Sequence, residues 1–174
     1  AINITQTTAG HAMCYKITSK SGIAHGHAAI LCNQDLFRWM VENIEKCTDL
    51  RGKDYLWLTF EEIATIMSCL SPEQAAWKLK EIFLSLDLNV PHSPSNEIFN
   101  VARKFTSGIN QNRLKNNPIE LDNTAFWGLY QHILNPKYAF IDNFLIKLSN
   151  EIKTFFSMKH VKYNKKADPE RRIL

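Results

Sequence analysis

The spacing of hydrophobic positions changes several times along the chain, and each change marks an element. Over 13–19 apolar and polar residues alternate weakly ahead of Lys20-Ser21-Gly22, which predicts one short strand and a turn. From Ala28 onward, Leu31, Leu36, Trp39, Met40 and Ile44 fall largely on spacings of three and four beside polar Asn33, Gln34 and Arg38, and this predicts a helix over about 26–46. A polar connection containing Gly52 follows, then the short apolar run Tyr55-Leu56-Trp57-Leu58. Thr59 with Glu62 three residues on has the form of a capping box, predicting a helix from Phe60 to Met67. Ser71-Pro72 opens the next helix: serine caps orphan N–H groups, and proline at the first helical position lacks an N–H that would have no partner there anyway. This helix turns Ala75, Ala76, Leu79, Ile82 and Phe83 inward and ends near Leu88, because Pro91 and Pro94 forbid its continuation.

Further helices are expected over 96–105 and 123–134, separated by a basic, Asn-rich loop over 106–118. A last amphipathic helix over about 137–158 would carry Phe140, Phe144, Leu145, Leu148, Ile152 and Phe155 on one side. There is no internal repeat. The expected fold is mainly α. A part over 1–90 has one or two short strands, a helical extension covers 91–174, and a seam lies at 89–95 unless the chain forms one compact unit.

The segments 59–67 and 71–82 form two short helices with a tight connection, and small Ala64 sits where they must cross closely. Upstream stand Ala29, Leu31, Gln34, Phe37 and Trp39, followed by aromatic Tyr55 and Trp57, then Thr59-Phe60-Glu61-Glu62, then Ser71 and the ending Leu79-Lys80-Glu81. In these features residues 26–90 resemble the winged-helix domains near the N-terminus of phage and plasmid replication proteins and related regulators. The resemblance implies a helix-turn-helix whose second helix enters the major groove N-terminus first, with Ser71, Glu73, Gln74 and Lys78 facing the bases. It further implies sequence-dependent binding of double-stranded DNA in replication initiation or its control. Two features depart from the family: the charges of Glu73, Lys78, Lys80 and Glu81 cancel on the presumed recognition helix, and two prolines occupy 89–95 where a β-wing should follow.

Charge adds a second candidate region. Residues 1–100 carry a net −3 and residues 101–174 a net +7, so the basic surface belongs to the C-terminal half. Arg103, Lys104, Arg113 and Lys115, with no acidic residue between Val101 and Ile119, are the candidate phosphate contacts, the plainer reading being a solvated loop. Another class of function stays open beside DNA binding: a helical protein-interaction module without enzymatic activity, docking a partner or a second copy through 137–158.

The longest apolar runs fall far short of the ~20 residues that span a bilayer, so no membrane partner is expected. The first six residues carry neither a basic leader nor an apolar core, which predicts no secretory signal. Cys14, Cys32, Cys47 and Cys69 include no CxxC pair, and free thiols in a reducing, cytoplasmic compartment are expected. His11, Cys14, His25, His27 and Cys32 can ligate zinc or supply a thiolate–imidazole pair, yet they lack the spacing of a closed site. The expectation is therefore no metal, no cofactor and no catalytic residue.

Overall fold

The computed structural model describes residues 7–135 apart from 87 and 89, and the expected helix over 137–158 lies outside the described residues. Seven α-helices follow one another among the described residues: α1 Ala9–Ser21, α2 His25–Glu42, α3 Lys53–Ile66, α4 Pro72–Ser85, α5 Ile98–Ser107, the short α6 Gln111–Leu114 and α7 Asn123–Leu134. A 3-10 turn, Ile44–Lys46, leads out of α2. The protein is thus mainly helical, as its periodicity predicts, and β pairing among the described residues is limited to one antiparallel bridge between Cys47 and Ile119.

The strand expected over 13–19 is helical instead, and so is the apolar run over 55–58. Residues 13–19 belong to α1, where Met13, Cys14 and Ile17 are buried and Tyr15 is exposed; strand alternation would have put Tyr15 on the same side as Met13 and Ile17. Tyr55-Leu56-Trp57-Leu58 opens α3, whose buried residues Leu56, Phe60 and Ala64 recur every fourth position while Tyr55 and Leu58 stay exposed. The helix starts at Lys53, after Gly52, six residues before Thr59. Thr59 therefore caps nothing, and its hydroxyl donates to the Tyr55 carbonyl within the helix. The loop expected over 106–118 contains α6.

The start of α4 is as the sequence predicts. Ser71 Oγ accepts from the Gln74 N–H, and Gln74 Oε1 in turn accepts from the Leu70 N–H at 2.9 Å, so two backbone donors at the helix start are satisfied reciprocally. The connection from α3 is a Schellman turn: Cys69 N–H donates to the Ala64 carbonyl, Ser68 N–H donates to the Thr65 carbonyl, and Ser68 takes the left-handed conformation at φ 57°. Gly22 fills the same role after α1, at φ 68° with its N–H on the Thr18 carbonyl.

Helix α2 is the axis of the fold, with α1, α4 and α7 all packed on it. One core joins α1, α2, α5 and α7 and includes Phe83 of α4; its centre is the fully buried Tyr130, whose hydroxyl donates to the Met13 carbonyl at 3.0 Å. A second core joins the C-terminal half of α2 to α3 and α4 through Phe37, Val41, Phe60, Ala64, Ala75 and Ala76. The first core runs across residues 89–95, where the prolines suggest a seam, and Ser93 N–H donates to the Leu134 carbonyl. The described residues belong to one compact unit.

Two substitutions test this packing. Ala64 is 2% exposed and meets Ala75 and Ala76 in the second core, so Ala64→Leu should overpack the α3–α4 crossing and cost about 1–3 kcal/mol in chemical unfolding; an unchanged midpoint would show that the helices have room there. Ser68→Gly should stabilise by about 1 kcal/mol, because the left-handed region costs a side-chain-bearing residue that much and glycine nothing. Thermal melting decides it, and a lower midpoint would count against the turn.

Candidate functional site

The helix pair brings only part of the expected base-reading set to the surface. Glu73 and Gln74 are exposed on the first turn of α4, while Ser71 and Lys78 are half-buried. Gln74 already serves as a cap through its Oε1, so pairing both ends of its amide with adenine would release the Leu70 N–H. Farther along the same helix Trp77 faces the Arg38 guanidinium at 5.7 Å, and Lys80 reaches inward to Asp35. These contacts align α4 antiparallel to α2, with Gln74 toward the C-terminal end of α2.

The four expected phosphate contacts lie elsewhere. Arg103 and Lys104 are exposed on α5, Lys115 is exposed after α6, and Arg113 stacks 4.7 Å over the Tyr15 ring of α1. Tyr15 also packs on His25 at the start of α2. From there to Arg38 is thirteen residues, or ~20 Å of helix at 1.5 Å per residue. Gln74 and Arg113 therefore mark opposite ends of α2, and the structure does not bring them into one contact surface.

Sequence reasoning passed over a buried charge cluster. Asp35, 2% exposed on α2, lies 3.1 Å through Oδ2 from His132 Nδ1 of α7 and 3.4 Å through Oδ1 from Lys80 Nζ of α4. Arg38 Nη2 lies 3.4 Å from His132 Nε2. Nδ1 of His132 thus faces the carboxylate and Nε2 faces the guanidinium. Burial pushes the Asp35 carboxyl up, but the His132 hydrogen bond and the charges of Lys80, His132 and Arg38 outweigh it and hold the group below the usual carboxylate range. The cluster closes one side of a cleft of about 530 Å³ that Lys46, Glu42 and Asp122 also line. The only sequence signal was a carboxylate within the apolar pattern of α2.

The metal-capable residues divide. His11 and Cys14, three apart on α1, and His25 on the first turn of α2 converge, with one ligand atom from each lying within 4.8 Å of the others. Cys14 Sγ is 3.8 and 3.7 Å from the two ring nitrogens of His25, and His11 Nε2 is 3.0 Å from the Tyr15 hydroxyl. His27 packs instead on Phe83, and Cys32 is buried in the first core. The absence of a closed spacing, the ground for expecting no metal, thus does not keep these three apart. As a nucleophile Cys14 is poorly placed: it is buried, and burial pushes its thiol up against the opposing pull of its backbone hydrogen bond and of Arg113. Burial drives Cys32 much further the same way. Burial, and after it the neighbouring charges of His25 and Arg113, lower His11.

Comparisons with protein-family models, curated proteins and solved structures return no match to this chain. Among the described residues no helix is long and apolar enough to cross a membrane.

The Asp35 cluster makes a testable demand on stability. Asp35→Ala removes the buried counter-charge that faces Lys80 and Arg38 and should cost about 3–5 kcal/mol in urea unfolding at neutral pH. Because the folded carboxyl is held below its unfolded value of about 4, its contribution is complete above that pH and is lost as pH falls through the folded value. The stability gap between the parent and Asp35→Asn should therefore narrow below about pH 4; a gap that stays constant down to the acid limit would contradict the ion pairing.

Proposed function

We propose that this chain binds double-stranded DNA through a helix-turn-helix formed by α3 and α4, in replication initiation or its regulation. The observation that carries the reading is the α3–α4 pair itself. A five-residue connection joins the helices, three small residues close their crossing, and the N-terminal turn of α4 stands exposed with Glu73 and Gln74 outward. That is the presentation with which a recognition helix meets base edges. The resemblance of residues 26–90 to replication-protein winged helices supports the same reading through the helix pair and the Ser71 start of α4 alone, since 55–58 and Thr59 lie inside α3.

Electrostatic affinity on this reading comes from Arg103, Lys104, Arg113 and Lys115, of which Arg113 lies toward the opposite end of α2 from Gln74. Arg113 then meets duplex backbone away from the segment that α4 reads, and phosphate contacts of this kind position the protein without selecting sequence. Lys78 and Gln74 supply the polar contacts to bases.

The cap geometry selects the informative variant. Gln74→Glu keeps an acceptor for the Leu70 N–H and adds negative charge at a helix N-terminus, so the fold is retained. It removes the amide donor, so discrimination between duplex sequences should fall in fluorescence anisotropy. Changing Arg103, Lys104, Arg113 and Lys115 together to Ser should weaken binding to all duplexes alike and flatten the log–log salt slope by about 0.9 for each phosphate that is no longer neutralised. A parent protein that binds no duplex at low salt, or a quadruple variant that binds as the parent does, would sink the proposal. A second reading then takes its place, favoured by Ile66 and Leu70, which stand 83% and 93% exposed at the α3–α4 connection: these side chains dock a protein partner, and binding to it is insensitive to salt.

A further inference from the structure

We propose that His11, Cys14 and His25 form a binding site for a single zinc ion, held between α1 and the first turn of α2. A spacing of three on one helix puts His11 and Cys14 on the same face. The turn after α1, set by Gly22 in the left-handed conformation, carries the chain back so that His25 closes the triangle. Neither residue pair is diagnostic alone. The three together present two imidazoles and a thiol, the donor set that zinc takes in preference to the harder divalent cations.

The donors are already gathered, and a turn of the His25 ring, whose two nitrogens stand almost equally far from Cys14 Sγ, aims one lone pair at the ion. Around a tetrahedral zinc with bonds of about 2.0–2.3 Å, neighbouring donor atoms stand roughly 3.3–3.7 Å apart. Cys14 Sγ and the nearer His25 nitrogen are already 3.7 Å apart, and all three donors lie within 4.8 Å of one another. Among the described residues the His25 ring meets His11, Cys14 and Tyr15, and no carboxylate takes its nitrogens. Tyr15 sits where an outer-shell partner belongs, its hydroxyl against His11 Nε2 and its ring beneath Arg113. Binding releases the Cys14 thiol proton to solvent, and the thiolate charge offsets Arg113. His11 and His25 are half-buried, not sealed, which gives the ion a way in and leaves the fourth position to a water molecule.

Cobalt(II) is the probe, because a thiolate ligand gives it a charge-transfer absorption that carboxylates and imidazoles do not. The full chain, without a polyhistidine tag, is reduced, stripped with chelator and titrated. One equivalent should saturate a thiolate-to-cobalt band that zinc then bleaches. The band should vanish in Cys14→Ser and persist in Cys47→Ser and Cys69→Ser, which pack against the second core far along the chain from α1. His25→Gln, at a half-exposed helix start, covers the event that Cys14→Ser does not fold; with parental circular dichroism it should lose saturable binding. No saturable band in the parent, a band surviving in Cys14→Ser, or parental binding by His25→Gln would each overturn the site.

Discussion

Helix α2 packs against α1, α4 and α7, and among the residues it buries is a carboxylate. Asp35 is closed from water and survives as an ion because α4 delivers Lys80 to it and α7 delivers His132, with Arg38 of α2 behind the imidazole. The ion pairing thus joins three helices at one point, and each partner has a second task. Lys80 fixes how far α4 lies along α2, and His132 fixes the turn of α7 that meets α2. Apolar packing tolerates small shifts of one helix over another, whereas a buried ion pair that slips leaves a desolvated charge unpaired. The register of the bundle around α2 follows from that asymmetry.

The two ends of α2 accordingly have different characters. Its C-terminal half shares an apolar core with α3 and α4, in which alanines allow the close crossing and Phe37 meets Phe60 edge to face at 5.4 Å. Its first turn lies against α1 in a polar setting of two imidazoles, a phenol, a thiol and the Arg113 guanidinium. The proposed base-reading turn of α4 lies toward the C-terminal end of α2 and the proposed metal site at its first turn, where Arg113 also stands. A zinc ion at the first turn would tie α1 to α2 without touching the α4 surface.

Local signals in the chain were sufficient for several elements. The apolar spacing of α2, the Ser71-Pro72 start of α4 and the whole of α7 over 123–134 are legible, because long amphipathic periods and strong caps act within a few residues. The short apolar runs at 13–19 and 55–58 were not, since four to seven residues without a cap fit a strand or a helix equally well. They became helical because α2 offered them a surface on which fourth-position neighbours, Met13 with Ile17 and Leu56 with Phe60, could be buried together. Likewise Thr59-x-x-Glu62 has the letters of a capping box, but α3 begins earlier and turns Glu62 outward.

What the sequence by itself determined was the helical class, most helix positions and the inventory of side chains able to do chemistry. Tertiary structure alone decided which of them meet. His132 stands ninety-seven residues from Asp35 and Lys80 forty-five, and His25 reaches Cys14 only because Gly22 turns α1 back upon α2. Gln74 and Arg113, which polarity alone groups together, fall toward opposite ends of that helix. Periodicity records how a segment hides its apolar face from water, a local property; the partner of a buried charge or thiol depends on how separate helices share one core, and no short-range pattern encodes that.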